Sequence, residues 1–246
     1  MRPFYHAGKY SMLMFRVFAR PEKGSMYWKE IMREIDVLGI ESLGITIIIS
    51  MFMGAVITLQ TASDLENPLI PLYLIGYTTK QSMILEFSPT ILSLILAGKV
   101  GSRIASEIGT MQVTEQIDAL EIMGVNSASF LILPKIIASV LINPFLVVVS
   151  MFVGIGGGWI IAVMTNLVSP QDFQYGLLYE FRMFIVYYAL IKTVVFAFII
   201  ASVSAYHGYY TVGGALEVGR SSTKAVVHSS IMILLFNLII TQLLLI

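Results

Sequence analysis

Two ionisable side chains inside largely apolar stretches of sequence are candidates for chemistry. Glu86 lies about midway along the stretch from residue 69 to residue 98, and Lys192 lies within the stretch from residue 183 to residue 205. At about 1.5 Å of rise per helical residue, Lys192 is roughly 13 Å from the start of its helix, a depth from which it can reach Glu86. If these stretches cross a membrane, both groups are candidate functional groups, and a proton relay is one chemistry they support. We predict that they face a shared polar cavity; the alternatives are a structural salt bridge and a lysine whose ammonium group extends to the membrane surface.

Other combinations of reactive residues give no catalytic site. His228 is followed by Ser229 and Ser230, but adjacent helical residues point about 100° apart and no nucleophile elbow is present. The remaining histidines, His6 and His207, lack the spacing of metal ligands. The chain contains no cysteine, and no GxxxxGK[ST] phosphate-binding loop occurs in it. We therefore expect no enzymatic activity, metal or cofactor in this chain, so that any ATP would be hydrolysed by another protein.

A short polar helix is predicted between two strongly apolar parts of the chain. The segment EIGTMQVTEQIDALEIMGVN, residues 107 to 126, carries four acids. Thr114 is placed to cap a helix with acids in its first turn, and Gly124 with Asn126 is placed to end it. Three apolar residues share one face of this helix: Ile117, Leu120 and Met123. Such a helix suits docking into a groove of a soluble partner; the alternative is a linker on the lipid headgroups, which the acids disfavour.

The elements that must position these residues are membrane spans. The chain is 57% hydrophobic and 12% charged, with a mean hydropathy of +0.84, which is typical of an integral membrane protein. Its 15 basic and 15 acidic residues cancel, so that nothing suggests a nucleic-acid partner. Five spans are predicted, over residues 42–60, 69–98, 130–166, 183–205 and 225–246. The third is either one long tilted helix or a helix broken near Pro134 or Pro144, and its Gly154 and Gly158 favour close helix packing.

Two helices are predicted before the first span. Lys9, Arg16 and Arg20 form a stripe on a basic amphipathic helix that ends at Pro21 and lies on the membrane surface; the alternative is an irregular basic tail. A second short helix, residues 28 to 40, leads the chain into the bilayer. We therefore divide the chain into N-terminal interfacial and connecting helices, residues 1–40, and a single five-span domain, residues 41–246.

Charge placement predicts the orientation of the spans. Seven Lys or Arg residues occur in the first 40 positions, whereas residues 61–68 and 167–181 contain acids but no Lys or Arg. By the positive-inside rule, the N-terminus and the acidic segment are cytoplasmic and the C-terminus is on the opposite side.

Several runs of residues resemble the MlaE (YrbE) family, the permease subunits of lipid-transporting ABC systems. The resemblance is carried by LEFSPTILSLILAGKVGSRIASEIGTMQVTEQIDALEIMGVN, by IKTVVFAFIIA, and by GYYTVGGALEVGRSSTKAVVHSS before the fifth span. It implies an all-α integral membrane fold of five spans, with an interfacial N-terminal helix and a cytoplasmic coupling helix between spans two and three. It also implies an inner-membrane location, with the C-terminus in the periplasm.

The resemblance further implies partners and two functional regions. The partners are a second copy of the chain, a cytoplasmic ABC ATPase (MlaF-like) that binds ATP and Mg²⁺, and a periplasmic MCE-domain protein (MlaD-like), with room for a STAS-domain protein (MlaB-like) on the ATPase. The substrate is phospholipid. The residues expected to couple the chain to the ATPase are Glu107, Thr114, Glu115, Gln116, Ile117, Asp118, Leu120, Glu121 and Met123. The residues expected to line a lipid pocket between two copies are Leu59, Leu74, Tyr77, Leu85, Glu86 and Phe87.

Two other functions remain open from the residues alone. An ion-coupled secondary transporter would use Glu86 and Lys192 as a proton relay, although the chain shows no inverted repeat. A non-transporting membrane anchor would hold a partner in place and would tolerate charge changes at Glu86.

Overall fold

The described part of the chain is helical throughout. The structure, a computed structural model, describes residues 2–19, 24–65 and 71–245, and no strand occurs among them. Five helical stretches are long and apolar enough to cross a membrane: Tyr27–Asp64, Tyr73–Val113, Ser127–Met164, Met183–Tyr209 and Ala215–Leu244. The chain is therefore a multi-pass membrane protein, which confirms the predicted all-α fold with five spans.

The N-terminal part begins with a separate helix. Helix α1, Arg2–Phe18, precedes the first span, while Arg20 and Pro21, predicted to extend and end it, lie outside the described residues. The short second helix, predicted over residues 28 to 40, is continuous with the first span. Helix α2, Gly24–Ile35, continues through a π-helical stretch, Asp36–Ile40, into α3, Glu41–Asp64. Gly39 does not break the helix, because it is the point where Ile142 packs against the backbone.

The second span is interrupted by two wider turns. It runs from α4, Tyr73–Ser82, through a π-helical stretch, Met83–Ile91, to α5, Leu92–Leu96, and then through a second π-helical stretch, Ala97–Gly101, to α6, Ser102–Val113. Pro89 lies in the first π-helical stretch, where the altered hydrogen bonding accommodates its missing N–H. The helix continues beyond the predicted end of the span near residue 98. The residues that follow are more polar, but Ile104, Ala105 and Ile108 form a buried face along this part of the helix.

The third span is one unbroken helix. Helix α8 covers Ser127–Met164 and contains both Pro134 and Pro144. The broken-helix alternative is therefore wrong. A proline inside a transmembrane helix is tolerated when neighbouring groups and small local adjustments satisfy the freed carbonyl.

The remaining helices include one that was predicted as loop. Helix α9, Pro170–Leu178, begins after Ser169, whose hydroxyl accepts a hydrogen bond from the Asp172 N–H. Helices α10, Met183–Tyr209, and α11, Ala215–Leu245, complete the chain. Helix α11 begins ten residues before residue 225, the predicted start of the fifth span. The polar residues of this first part accompany a buried side chain, Val218.

By density of contacts the chain divides into two compact units. The first unit contains Met1–Glu41, Leu94–Asn143 and Val194–Ile246, and the second contains Ser42–Ser93 and Pro144–Thr193. In the second unit, glycines allow close helix approach. Gly54 of α3 packs against the backbone of Gly154 in α8, and Gly76 of α4 packs against Phe173 in α9. The contact at Gly76 fixes the helix that continues into the stretch carrying Glu86.

Candidate functional site

In the second unit, Glu86 and Lys192 form an ion pair. Lys192 Nζ lies 2.7 Å from Glu86 Oε1, and Thr90 Oγ1 donates a hydrogen bond of 3.0 Å to Glu86 Oε2. The lysine is also over the ring of Tyr188, with Nζ 4.5 Å from the ring centroid. Both oxygens of the carboxylate are therefore engaged by neighbouring helical residues.

The two members of this pair differ sharply in exposure. The side chain of Lys192 is 0% exposed and that of Glu86 is 43% exposed. Lys192 is thus held inside the protein as a fixed positive charge, while the carboxylate faces outward from the span. The π-helical stretch Met83–Ile91 contains Glu86, and such stretches shift the direction in which side chains project. The arrangement presents a partly neutralised carboxylate to whatever contacts this face.

The shared polar cavity stays a prediction, and the contact that the structure shows is the ion pair itself. A small cavity of about 10 Å³ lies beside it, lined by residues that include Ser50, Met83, Phe87 and Ser150 but neither Glu86 nor Lys192. A volume of this size holds about one water molecule. The polar contacts of the pair include Thr90, which donates to Glu86, and the Leu85 carbonyl, which accepts from Lys192 Nζ at 3.5 Å.

The six residues predicted to line a lipid pocket all retain exposed surface. Leu59 on α3 is 39% exposed, and the other five, which lie on α4 and in the π-helical stretch, are partly exposed. Tyr77 is held by aromatic contact, with its ring centroid 5.7 Å from that of Tyr179. The described chain therefore leaves these side chains available at its surface, and Phe87 alone of the six also borders the small cavity.

Sequence reasoning missed the polar groups that fix this region. Ser50 donates a hydrogen bond of 2.7 Å to Ser150, which in turn donates one of 3.1 Å to Ser88. Lys80 is 3% exposed and donates to the carbonyl of Tyr179 at 2.7 Å. Serines in apolar helices are common, so that only the contacts reveal this network.

In the first unit, the acidic segment forms helix α7, Gln116–Ile122. Thr114 was wrongly predicted as its cap: Thr114 ends α6, and its hydroxyl donates to the Thr110 carbonyl at 2.8 Å. The residue that precedes α7 is Glu115, whose φ of 59° is left-handed. Helix α6 therefore extends further than expected, so that Thr114 ends α6 and does not cap α7.

The end of α7 follows the prediction at Gly124 but not at Asn126. Gly124 has a φ of 79°, and the N–H groups of Gly124 and Val125 donate to the Glu121 and Leu120 carbonyls at 3.0 and 3.1 Å, which is a Schellman ending. Asn126 instead begins α8, where its Oδ1 accepts from the Ser129 N–H at 3.4 Å.

The exposed face of α7 differs from the predicted apolar stripe. Ile117 is 2% exposed and packs inward, whereas Met123 is 68% exposed and Ile122, which was not predicted, is 87% exposed. Asp118 and Gln116 are exposed beside them. The surface that α7 offers to a partner is therefore acidic with two apolar residues at its end.

Two predicted coupling residues bind their own chain. Glu121 Oε1 accepts hydrogen bonds from Ser127 Oγ at 2.9 Å and from Tyr209 OH at 3.1 Å, which fixes α7 in place. Glu107 lies in α6 and forms an ion pair of 2.9 Å with Lys135. These contacts anchor the segment to the first unit.

Lys135 is the centre of a second buried charge cluster. Its Nζ lies 2.5 Å from Glu34 Oε1, and the side chains of Lys135 and Glu34 are each 4% exposed, against 38% for Glu107. The second oxygen of Glu34 is buried without a hydrogen-bond partner in the described part of the chain. The cluster joins α2, α6 and α8 directly behind the acidic segment.

Comparisons with known proteins connect this geometry to a family. A model of the family described as Permease MlaE matches residues 31–243. A probable ABC transporter permease protein of Rickettsia typhi is 34% identical over 242 residues, covering 96% of this chain and 91% of the relative. A probable ABC transporter permease protein of Synechocystis is 34% identical, covering 93% of this chain and 86% of the relative. The chloroplastic protein TRIGALACTOSYLDIACYLGLYCEROL 1 of Arabidopsis thaliana is 33% identical, covering 92% of this chain and 65% of the relative.

Proposed function

The chain belongs to the MlaE permease family, and we propose that it is the membrane subunit of an ABC transporter that moves phospholipids between the inner membrane and the outer envelope. Its relatives are named as ABC transporter permeases, so that its role is that of a permease. We further propose which substrate it moves, which energy source it uses, and which residues contact the substrate and the ATPase.

The observation that carries the lipid assignment is the asymmetric ion pair of the second span. Glu86 keeps 43% of its side chain exposed while its partner Lys192 is fully buried. Because the buried Lys192 neutralises it, the Glu86 carboxylate can contact the polar part of an amphiphile without leaving a free charge in the bilayer. The partly exposed Leu85 and Phe87 beside it suit acyl chains, which bind through apolar area.

The name of one relative supports a lipid substrate. The Arabidopsis protein is named for trigalactosyldiacylglycerol, which is a lipid. Two copies of the chain would enclose the substrate between their exposed surfaces, formed by the six residues from Leu59 to Phe87 described above. ATP would be hydrolysed by a cytoplasmic ABC ATPase (MlaF-like), while an MCE-domain protein (MlaD-like) on the periplasmic side would pass lipid onward and a STAS-domain protein (MlaB-like) would bind the ATPase.

Helix α7 is the proposed docking site for the ATPase. Its outward face combines exposed Asp118 and Gln116 with exposed Ile122, and Glu121 ties it to the first unit. The excess of basic residues predicted on the same side of the membrane supports a cytoplasmic position for this face. Movement of the ATPase would therefore be passed to the spans through α7 and the charge cluster at Lys135.

A second candidate function rests on the same ion pair. Glu86 and Lys192 are 2.7 Å apart, a distance that permits proton transfer in an ion-coupled transporter. That function predicts transport that follows a proton gradient and does not need a partner ATPase.

Mild solubilisation of the tagged chain, with mass spectrometry of the proteins and lipids that co-purify, tests the proposal. We expect an ABC ATPase and phospholipid with the parent chain, and loss of the ATPase alone with Glu115→Lys combined with Asp118→Lys. The matched control is Asp64→Lys, which reverses an exposed acid at the other end of the first span and should retain both. Absence of an ATPase from every sample would overturn the proposal in favour of ion coupling.

A further inference from the structure

Helix α1 has three distinct faces. One face packs against the first unit: Leu13 and Val17 are fully buried, and Tyr10 donates a hydrogen bond of 2.8 Å to Ser202. A second face is apolar and exposed, with Phe4 at 85% and Phe15 at 76% exposure. These two faces leave a narrow edge between them.

The edge between these faces is basic. At about 100° per residue, Lys9 and Arg16 project in nearly the same direction, with Tyr5 beside them. Neither Lys9 nor Arg16 forms an ion pair with a carboxylate among the described residues. The positive charge of this edge is therefore unbalanced by the part of the chain that the structure describes.

A groove opens along this basic edge. It has a volume of about 470 Å³ and lies between α1 and Tyr210, with Phe4, Gly8, Lys9 and Arg16 among its lining residues. Lys9 Nζ lies 3.7 Å from the centroid of the Tyr210 ring. A side chain added at Gly8 would meet nothing within 4 Å, so that the space above this glycine is open.

We propose that this groove binds an anionic phospholipid of the adjacent membrane leaflet, with its phosphate on Lys9 and Arg16 and its acyl chains along the exposed apolar face of α1. The residues of this groove differ from those proposed to contact the transported lipid. Binding in the groove does not depend on the direction or the headgroup specificity of transport.

The chemistry of the groove matches a phosphodiester in three ways. The Arg16 guanidinium can hold two phosphate oxygens at once, and the Lys9 ammonium adds a second positive charge. Burial raises the pKa of Tyr210, so that its phenol stays protonated and can donate a hydrogen bond to a third oxygen. Phe4 and Phe15, at the other side of the edge, provide the apolar surface that acyl chains require.

Affinity measurements on the purified full-length chain test this site. Fluorescent phosphatidylglycerol and phosphatidylcholine are titrated separately into the detergent-solubilised protein, and phosphatidylglycerol is expected to bind more tightly. Lys9→Gln combined with Arg16→Gln should weaken phosphatidylglycerol binding by about 30-fold, since each basic residue near an anionic lipid contributes about one factor of five. Gly8→Leu should also weaken binding, because it fills the groove without changing the charge.

The matched control is Lys29→Gln, which removes an exposed basic residue of α2 outside the groove and should leave the preference for phosphatidylglycerol unchanged. Thermal unfolding of each variant confirms that the fold is intact. Equal binding of the two lipids by the parent chain, or retained preference in both groove variants, would overturn the proposal. Displacement of the fluorescent lipid by millimolar inorganic phosphate would also overturn it, since the groove would then recognise free phosphate.

Discussion

In the ion pair of Glu86 and Lys192, only the lysine is a fully buried charge. Lys192 is 0% exposed, while Glu86 is 43% exposed and also accepts a hydrogen bond from Thr90. Loss of the carboxylate would strand a fully buried ammonium, whereas the carboxylate left by loss of the lysine would not be enclosed by the protein and would keep its hydrogen bond from Thr90. The two single substitutions are therefore expected to differ.

Glu86→Gln is expected to destabilise the chain more than Lys192→Met. Removing one partner of a buried ion pair costs about 3–5 kcal/mol, and that full cost applies only where the remaining charge is buried. The double substitution should recover much of the lost stability because no unpaired charge remains. Thermal unfolding in a mild detergent measures all three variants.

The double variant also separates a structural role from a functional one. If the exposed carboxylate contacts the substrate, Glu86→Gln combined with Lys192→Met should fold normally and still transport phospholipid poorly. Full transport by the double variant would show that the pair only supports the fold.

The cluster around Lys135 gives a second prediction at this scale. Lys135→Met should lower the free energy of unfolding by about 3–5 kcal/mol, because it leaves the buried Glu34 without a counter-ion. Glu107→Gln should cost much less, since Glu107 is 38% exposed and the pair of Lys135 with Glu34 remains. Equal losses in a chemical denaturation experiment would contradict this ordering.

Sequence predicted one of these two clusters in part and missed the other. Glu86 and Lys192 were recognisable because each interrupts a long apolar stretch, and a salt bridge between them was one of the stated alternatives. Glu34 and Glu107 lie in polar sequence, Lys135 lies near the start of the third apolar stretch, and their contacts join positions 28 and 101 residues apart. Only the tertiary fold reveals that they meet.

At the scale of helices, glycines determine which surfaces approach. A Cβ atom at Gly54 would overlap the carbonyl oxygen of Gly154, so that the two backbones must separate to accept it. The sequence predicted close packing at Gly154 and Gly158, and both glycines are used inside the second unit.

Gly54→Ala should therefore destabilise the chain, by about 1–3 kcal/mol if it behaves as an overpacked core position. Gly156→Ala is the matched control in α8, because a Cβ there meets nothing within 4 Å and alanine favours a helix. Comparison of the two melting temperatures checks the prediction, and a destabilised Gly156 variant would count against it.

Helix α7 gives a prediction about coupling. Asp118→Lys and, separately, Ile122→Ser should each weaken binding of the partner ATPase without lowering the melting temperature, because both side chains are exposed. Ile117→Ser should instead destabilise the chain, since Ile117 is 2% exposed. Binding of the ATPase measured by pull-down, alongside thermal unfolding, separates the two effects.

The boundaries of helices were less predictable than their number. Five spans follow from apolar length alone, but the start of α7 depends on whether Thr114 ends one helix or begins the next, and capping preferences permit both. The π-helical stretches at Pro89 and Lys99 have no clear local signature, because they depend on packing with neighbouring helices.

For the whole molecule, we propose that a soluble ATPase supplies the energy while this chain supplies the path for lipid. The evidence for the permease role is the family match over residues 31–243, and the five spans agree with it. An ion-coupled mechanism would use the same fold with a different energy source, so that the energy source is the deciding property.

The most direct test is transfer of a fluorescent phospholipid by proteoliposomes that contain this chain and its partner ATPase. We expect transfer that requires ATP, persists when a protonophore collapses the proton gradient, and is lost when Asp118→Lys replaces the parent chain. Transfer that follows the proton gradient and continues with an ATPase unable to hydrolyse ATP would contradict this expectation.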